Sequence, residues 1–266
     1  MNQFLLHQFV MYWEEFLVIK NHFDAIGIKS PGAFLSANDQ AGVESVIRHL
    51  HFQCKLMEMP NSTDRLWRFE LRFERESNTN SSVMAELQTI HTAMHYELDT
   101  NYFVRIPNGK INLFESDNLF GETVFEKFPS AQSDIKAAGN CLSLDLSTAT
   151  VFHLMRVVER GLRAFARDLH VPIPKSELEY KNWQTILDQI PKAIAAKLSK
   201  KMSSKRRSEL LEFYKGVTGQ FEFFKDVWRN HCTHSRVHYD HNQAQSAFDH
   251  AKDFMQRLAT RISETK

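Results

Sequence analysis

The chain has 266 residues, 42% of them hydrophobic and 24% charged, a composition that buries a core and excludes a disordered polar chain. Its formal net charge of +1 is unevenly distributed: residues 1–129 carry 11 Lys and Arg against 17 Asp and Glu, and residues 130–266 carry 22 against 15, which makes the second half the one suited to an anion such as RNA. Three widely separated cysteines, Cys54, Cys141 and Cys232, fit neither a disulfide framework nor a C-x-x-C site, and no run approaches the ~18 uncharged apolar residues of a membrane span.

In chain order, the apolar run Phe4 to Tyr12 has no basic flank and meets Glu14 and Glu15 early, so a cytoplasmic protein without a signal peptide is expected. Leu5, Phe9, Tyr12, Phe16, Ile19 and Phe23 recur in steps of three and four and predict a first amphipathic helix, broken by the stretch Gly27–Gly32 with Pro31. A second helix is predicted from Val43 to Met57. Between Leu66 and Phe73 two readings stay open, because Trp67, Phe69, Leu71 and Phe73 alternate as in a half-buried strand while Leu66, Phe69 and Phe73 keep a helical period. A polar stretch leads into a further helix ending near Asp99. From Tyr102 to Phe114, Asn108-Gly109 sits between two apolar runs and predicts a small β-hairpin. The first region is therefore taken as residues 1–115, mainly helical with a hairpin near 102–114, followed by a linker over 116–129.

Residues 130–266 read as an antiparallel helical bundle, so the fold class is all-α or mainly α. Val151, Leu154, Met155, Val158, Leu162 and Phe165 form an apolar stripe, and Arg156, Arg160, Arg163 and Arg167 line the opposite face of the same helix. A short helix from Trp183 to Ile190 follows. Lys192, Lys197, Lys200, Lys201, Lys205, Arg206 and Arg207 then form a run without an intervening acid. Such a run is a solvated surface or a phosphate-contacting one, and Arg156, Arg160, Arg163, Lys200, Lys201, Lys205, Arg206 and Arg207 are the candidate RNA-binding residues. A long helix uses Leu210 to Trp228, and a last one Ala244 to Ile262.

The helix ending in Lys225-Asp-Val-Trp-Arg-Asn-His-Cys-Thr-His234 carries Arg229, Asn230 and His234 in the pattern R-N-x-x-x-H. With an amphipathic helix on either side, this resembles the R-x4-6-H signature of the HEPN superfamily, and the resemblance extends over roughly residues 117–262. It implies a metal-independent endoribonuclease without cofactor, in which two motifs face each other across a homodimer. It also implies a toxin or phage-defence context, with an antitoxin or defence-system partner; a HEPN module that binds RNA without cutting it is the alternative. Chemically, an imidazole can move the 2′-hydroxyl proton and a guanidinium can hold the charged phosphorane. Arg229 and His234 lie about 140° apart around a straight helix, so they meet only if the backbone unwinds locally. Glu159, one turn before Arg163, is either its ion-pair partner or a further acidic member of the site. His153 reads as a packing histidine. A rival metal reading uses His231, Cys232, His234, His238, Asp240 and His241, but no H-E-x-x-H or second ligand cluster accompanies it, and no metal is expected.

Overall fold

The computed structural model describes residues 6–75, 77–230 and 238–265. Among them there is no β-strand, only an isolated bridge between Phe34 and Thr79, and the chain divides into two compact units, Met1–Phe103 and Val104–Lys266.

The first unit consists of α1 (Leu6–Lys29), α2 (Ala37–Leu56), α3 (Pro60–Phe73) and α4 (Asn80–Thr100). Short connections make successive helices antiparallel, as cross-helix pairs record. Tyr12 stacks on His49, Arg48 meets Glu70, Arg72 meets Glu86, and Trp13 stacks on His91 to close the ring of four. The predicted stripes of α1 and α2 supply the core, with Phe16, Phe23, Val43, Ile47 and Leu50 essentially inaccessible. The open reading between Leu66 and Phe73 resolves to helix: Leu66, Phe69 and Phe73 are buried, whereas Trp67, which a strand would place inside with Phe69, is 50% exposed. What tips the balance lies elsewhere in the chain. Pro60 occupies the first turn, where its missing N–H costs nothing. No side chain of the preceding Met59 caps the helix, and instead the buried carboxylate of Glu97 on α4 accepts from the Asn61 and Ser62 backbone N–H groups, both at 2.8 Å.

The second unit is built around α7 (Ser147–Asp168), whose buried residues cover most of its circumference. Around it pack α6 (Gln132–Ser143), α9 (Trp183–Leu198), α10 (Ser204–Phe224) and α11 (His241–Ala259), with the short α5 (Glu122–Lys127) and α8 (Lys175–Leu178) at the margins. Helices α7, α9 and α11 run one way and α6 and α10 the other. Phe165 meets both Tyr214 and Phe221, Phe221 meets Phe254, Arg261 lies over Phe213, and Lys197 bonds Asp168. At Gly161 a Cβ would stand 2.9 Å from the Leu258 side chain and 3.0 Å from that of Met255, so α7 and α11 approach closely there and a larger residue would push those side-chain ends aside.

Three expectations change. The hairpin near 102–114 does not form. Asn108–Leu113 is a 3₁₀ helix, Lys110 N–H bonding the Pro107 carbonyl, and Gly109 lacks the positive φ that a two-residue hairpin turn demands. The second apolar run is instead drawn onto α6, where the Leu113 carbonyl would stand 2.6 Å from a Cβ at Gly139 and Asn140 exchanges hydrogen bonds with Glu115. The stretch 116–129, read as a linker, carries α5, and Phe120, Val124 and Phe128 are buried in the core of the second unit; the units divide between Phe103 and Val104. Finally, the helix from Trp183 continues through Pro191 to Leu198, because burial of Ala193, Ile194 and Leu198 compensates for the proline.

Candidate functional site

Helix α10 does not end at Phe224. It widens into a π-helical turn, Lys225–Arg229, with the Asn230 N–H bonded to the Lys225 carbonyl five residues back. Such turns are rare and concentrate at functional sites. This one places half-buried Arg229 and Asn230 at the end of the bundle, and the packing there is specific. The Arg229 guanidinium lies over the Trp183 ring at 5.4 Å from its centroid, and Lys225 bonds Gln184, which brings the start of α9 alongside. The Tyr239 hydroxyl donates to the Trp228 carbonyl, and its backbone N–H donates to Thr148 in the first turn of α7. His241, the first residue of α11, meets Asp145 just before α7. The N-termini of α7, α9 and α11 therefore gather where α10 delivers Arg229, and their aligned peptide dipoles favour an anion. Two buried indole N–H groups at this end, those of Trp183 and Trp228, have no acceptor among the described residues. His234 lies outside the described residues, as does the stretch beyond Asn230 where the expected unwinding would act.

The arginine face of α7 is divided in two. Arg163 is buried, pairs with Glu159 at 2.7 Å, and donates to the Leu178 and Glu179 carbonyls; Arg160 and Arg167 turn terminal nitrogens to the Glu179 carboxylate. Glu159 thus holds Arg163 in a partly buried ion pair, Arg163 in turn ties the end of α8 to α7, and Arg163 is not available to a ligand. Arg156 belongs to another group. With His153 it bonds Asp134 of α6, a buried carboxylate, and it remains half-exposed. Sequence reading missed this group because its members stand 19 and 22 residues apart.

Lys200, Lys201, Lys205, Arg206 and Arg207 are all exposed at the α9–α10 corner, and none has an acidic partner among the described residues. Lys197, from the same run, is tied to Asp168. Three of these cations occupy the first turn of α10 behind its Ser203 cap, the end where the helix dipole disfavours positive charge. From Lys205 to Arg229 the helix rises roughly 35 Å, so the corner and the motif stand at opposite ends of α10.

Of the rival metal ligands, Asp240 caps α11 by accepting from Gln243 and His241 pairs with Asp145, while His231, Cys232 and His234 lie outside the described residues. Among those described, no three His, Cys, Asp or Glu side chains cluster as a metal site, and no helix is long and apolar enough to cross a membrane. Comparison with protein-family models, curated proteins and solved structures gives no match to this chain.

Proposed function

We propose that the protein is a metal-independent endoribonuclease of HEPN type, with Arg229 and His234 as the catalytic pair and Asn230 beside them. The observation that carries this reading is the π-helical turn that presents Arg229 and Asn230 where three helix N-termini gather. His234 takes the 2′-hydroxyl proton, the 2′-oxygen attacks the adjacent phosphorus, and the 5′-oxygen leaves with a proton. The Arg229 guanidinium holds the charge that develops on the phosphorane. The products are a 2′,3′-cyclic phosphate and a 5′-hydroxyl. Assembly as a homodimer with two facing motifs, a cytoplasmic setting, and a role as a toxin or phage-defence effector belong to the same proposal and rest on the resemblance of the motif.

The test is RNA cleavage by the wild-type protein beside Arg229→Ala and His234→Ala, in EDTA. Each variant should lose about 10²–10⁴ in rate, with EDTA making no difference. One observation favours a second reading, a HEPN module that binds RNA without cutting it: the exposed cations of the α9–α10 corner have no acidic partner among the described residues and lie far from Arg229, too distant to act on a phosphate held there. No cleavage by any of the three proteins, with equal RNA affinity, would decide for that module.

A further inference from the structure

We propose that Asp134, His153 and Arg156 form a phosphate subsite on the outer face of α7, holding one phosphodiester of a single-stranded RNA; the identity of this ligand rests on the ribonuclease reading. Asp134, only 5% exposed, lies in the first turn of α6, where the helix dipole supports a carboxylate. Its Oδ1 accepts from His153 Nδ1 at 3.0 Å and from Arg156 Nε at 2.8 Å. A carboxylate only accepts, so the proton of that first bond sits on Nδ1. His153 then has Nε2 in reserve, and Arg156, bonded through Nε, keeps both terminal nitrogens free among the described residues.

The burial pattern separates this group from a plain structural tie. The acid is inside, while the imidazole and guanidinium side chains are 28% and 50% exposed. Residues 153 and 156 are three apart on one helix and so are neighbours on its surface. The terminal fork of Arg156 matches two phosphate oxygens, and the imidazolium form of His153 adds a third donor from Nε2. Arg160, Arg163 and Arg167 all spend donors on Glu179, which leaves Arg156 as the stripe arginine whose terminal nitrogens meet no acid among the described residues. Phe152, 46% exposed and edge-on to His153, offers a ring on which the attached base stacks.

The experiment is NMR of protein labelled in its histidine imidazoles, with the His153 signal assigned by His153→Gln. Uridine 3′-monophosphate and a ten-residue 2′-O-methyl oligouridylate, which offers no 2′-hydroxyl to attack, are titrated into wild type, Arg229→Ala and Arg156→Lys. The His153 resonance should move in wild type and equally in Arg229→Ala, and Arg156→Lys, which keeps the charge and its reach to Asp134 but loses the fork, should weaken binding about tenfold. A His153 signal that stays fixed at saturating oligouridylate, or Arg156→Lys binding within about twofold of wild type, overturns the subsite. Cleavage lost in Arg229→Ala with the His153 shift retained shows the two sites failing independently.

Discussion

The two units use the same helical material and dispose of their charge differently. In the first, polar groups close on one another: Glu97 satisfies the start of α3, Lys20 pairs with Asp24, and Arg48, Arg68 and Arg72 meet Glu70, Asp64 and Glu86. In the second, two acids are heavily shared. Glu179 serves three arginines and Asp134 an arginine and a histidine, while the exposed cations of the α9–α10 corner, three of them on a helix end that disfavours them, have no acidic partner among the described residues. Exposed ion pairs contribute little to stability, so what separates the units is the balance left over. The first is left with an excess of acids, 13 Asp and Glu against 8 Lys and Arg over residues 1–103, and the second with an excess of cations, 25 Lys and Arg against 19 Asp and Glu over residues 104–266, the sign that suits an anion.

The largest effect that sharpens this contrast lies at Glu97. Its two charge-assisted bonds cap α3 from inside the core, and Glu97→Ala strands the Asn61 and Ser62 donors. The loss should be about 2–4 kcal/mol of stability, read by urea unfolding. RNA affinity measured below that transition should stay at the wild-type value. A drop in affinity with the fold intact would show that the first unit takes part in binding and would erase the contrast.

Cys54 gives a second, pH-dependent probe of the same interior. Burial, reinforced by the nearby Glu97 charge, pushes its thiol up from 9.0 to about 12. The neutral thiol is favoured in the fold, so its contribution to stability is complete below pH 9 and disappears as pH rises toward 12. Native protein should leave Cys54 unalkylated by iodoacetamide at pH 8, and Cys54→Ser, whose hydroxyl does not titrate there, should flatten the alkaline loss of stability. Rapid labelling at pH 8 would mean that the first core opens readily.

Much of this was legible from periodicity, because a stripe of large apolar residues in steps of three and four has only one way to be buried. Phe9, Phe16 and Phe23 in α1, and Val151, Leu154, Met155, Val158, Leu162 and Phe165 in α7, are inside as the pattern requires. What failed was local signal overruled by distant packing. Asn108-Gly109 announces a hairpin, yet α6 offers Leu113 a better surface at Gly139; α3 hovered between strand and helix until Glu97, 35 residues beyond Ser62, capped it. The site divides similarly. Arg229 and Asn230 could be read at a helix end, but the π-helical turn that carries them, and the bond from the Tyr239 hydroxyl to its Trp228 carbonyl, leave no mark in the apolar periodicity. The arginine face of α7 was visible as a face, whereas its partition between Asp134 and Glu179 was not, since both acids belong to other segments.

The smallest predicted effect bears most directly on why the corner cations are there. Lys205 sits in the first turn of α10, so Lys205→Glu replaces a charge the dipole opposes by one it favours, and the protein should gain about 0.3–1 kcal/mol, seen as a higher melting temperature. The same change should weaken RNA binding and shallow the dependence of log Kd on log salt by about one unit or more. The two signs must oppose each other: a residue retained only for folding would not improve the fold when replaced, and one retained for RNA must lose affinity when its charge is reversed. A more stable variant with unchanged affinity would make the corner an electrostatic accident and return the burden of RNA binding to Arg156, His153 and the Arg229 end of the bundle.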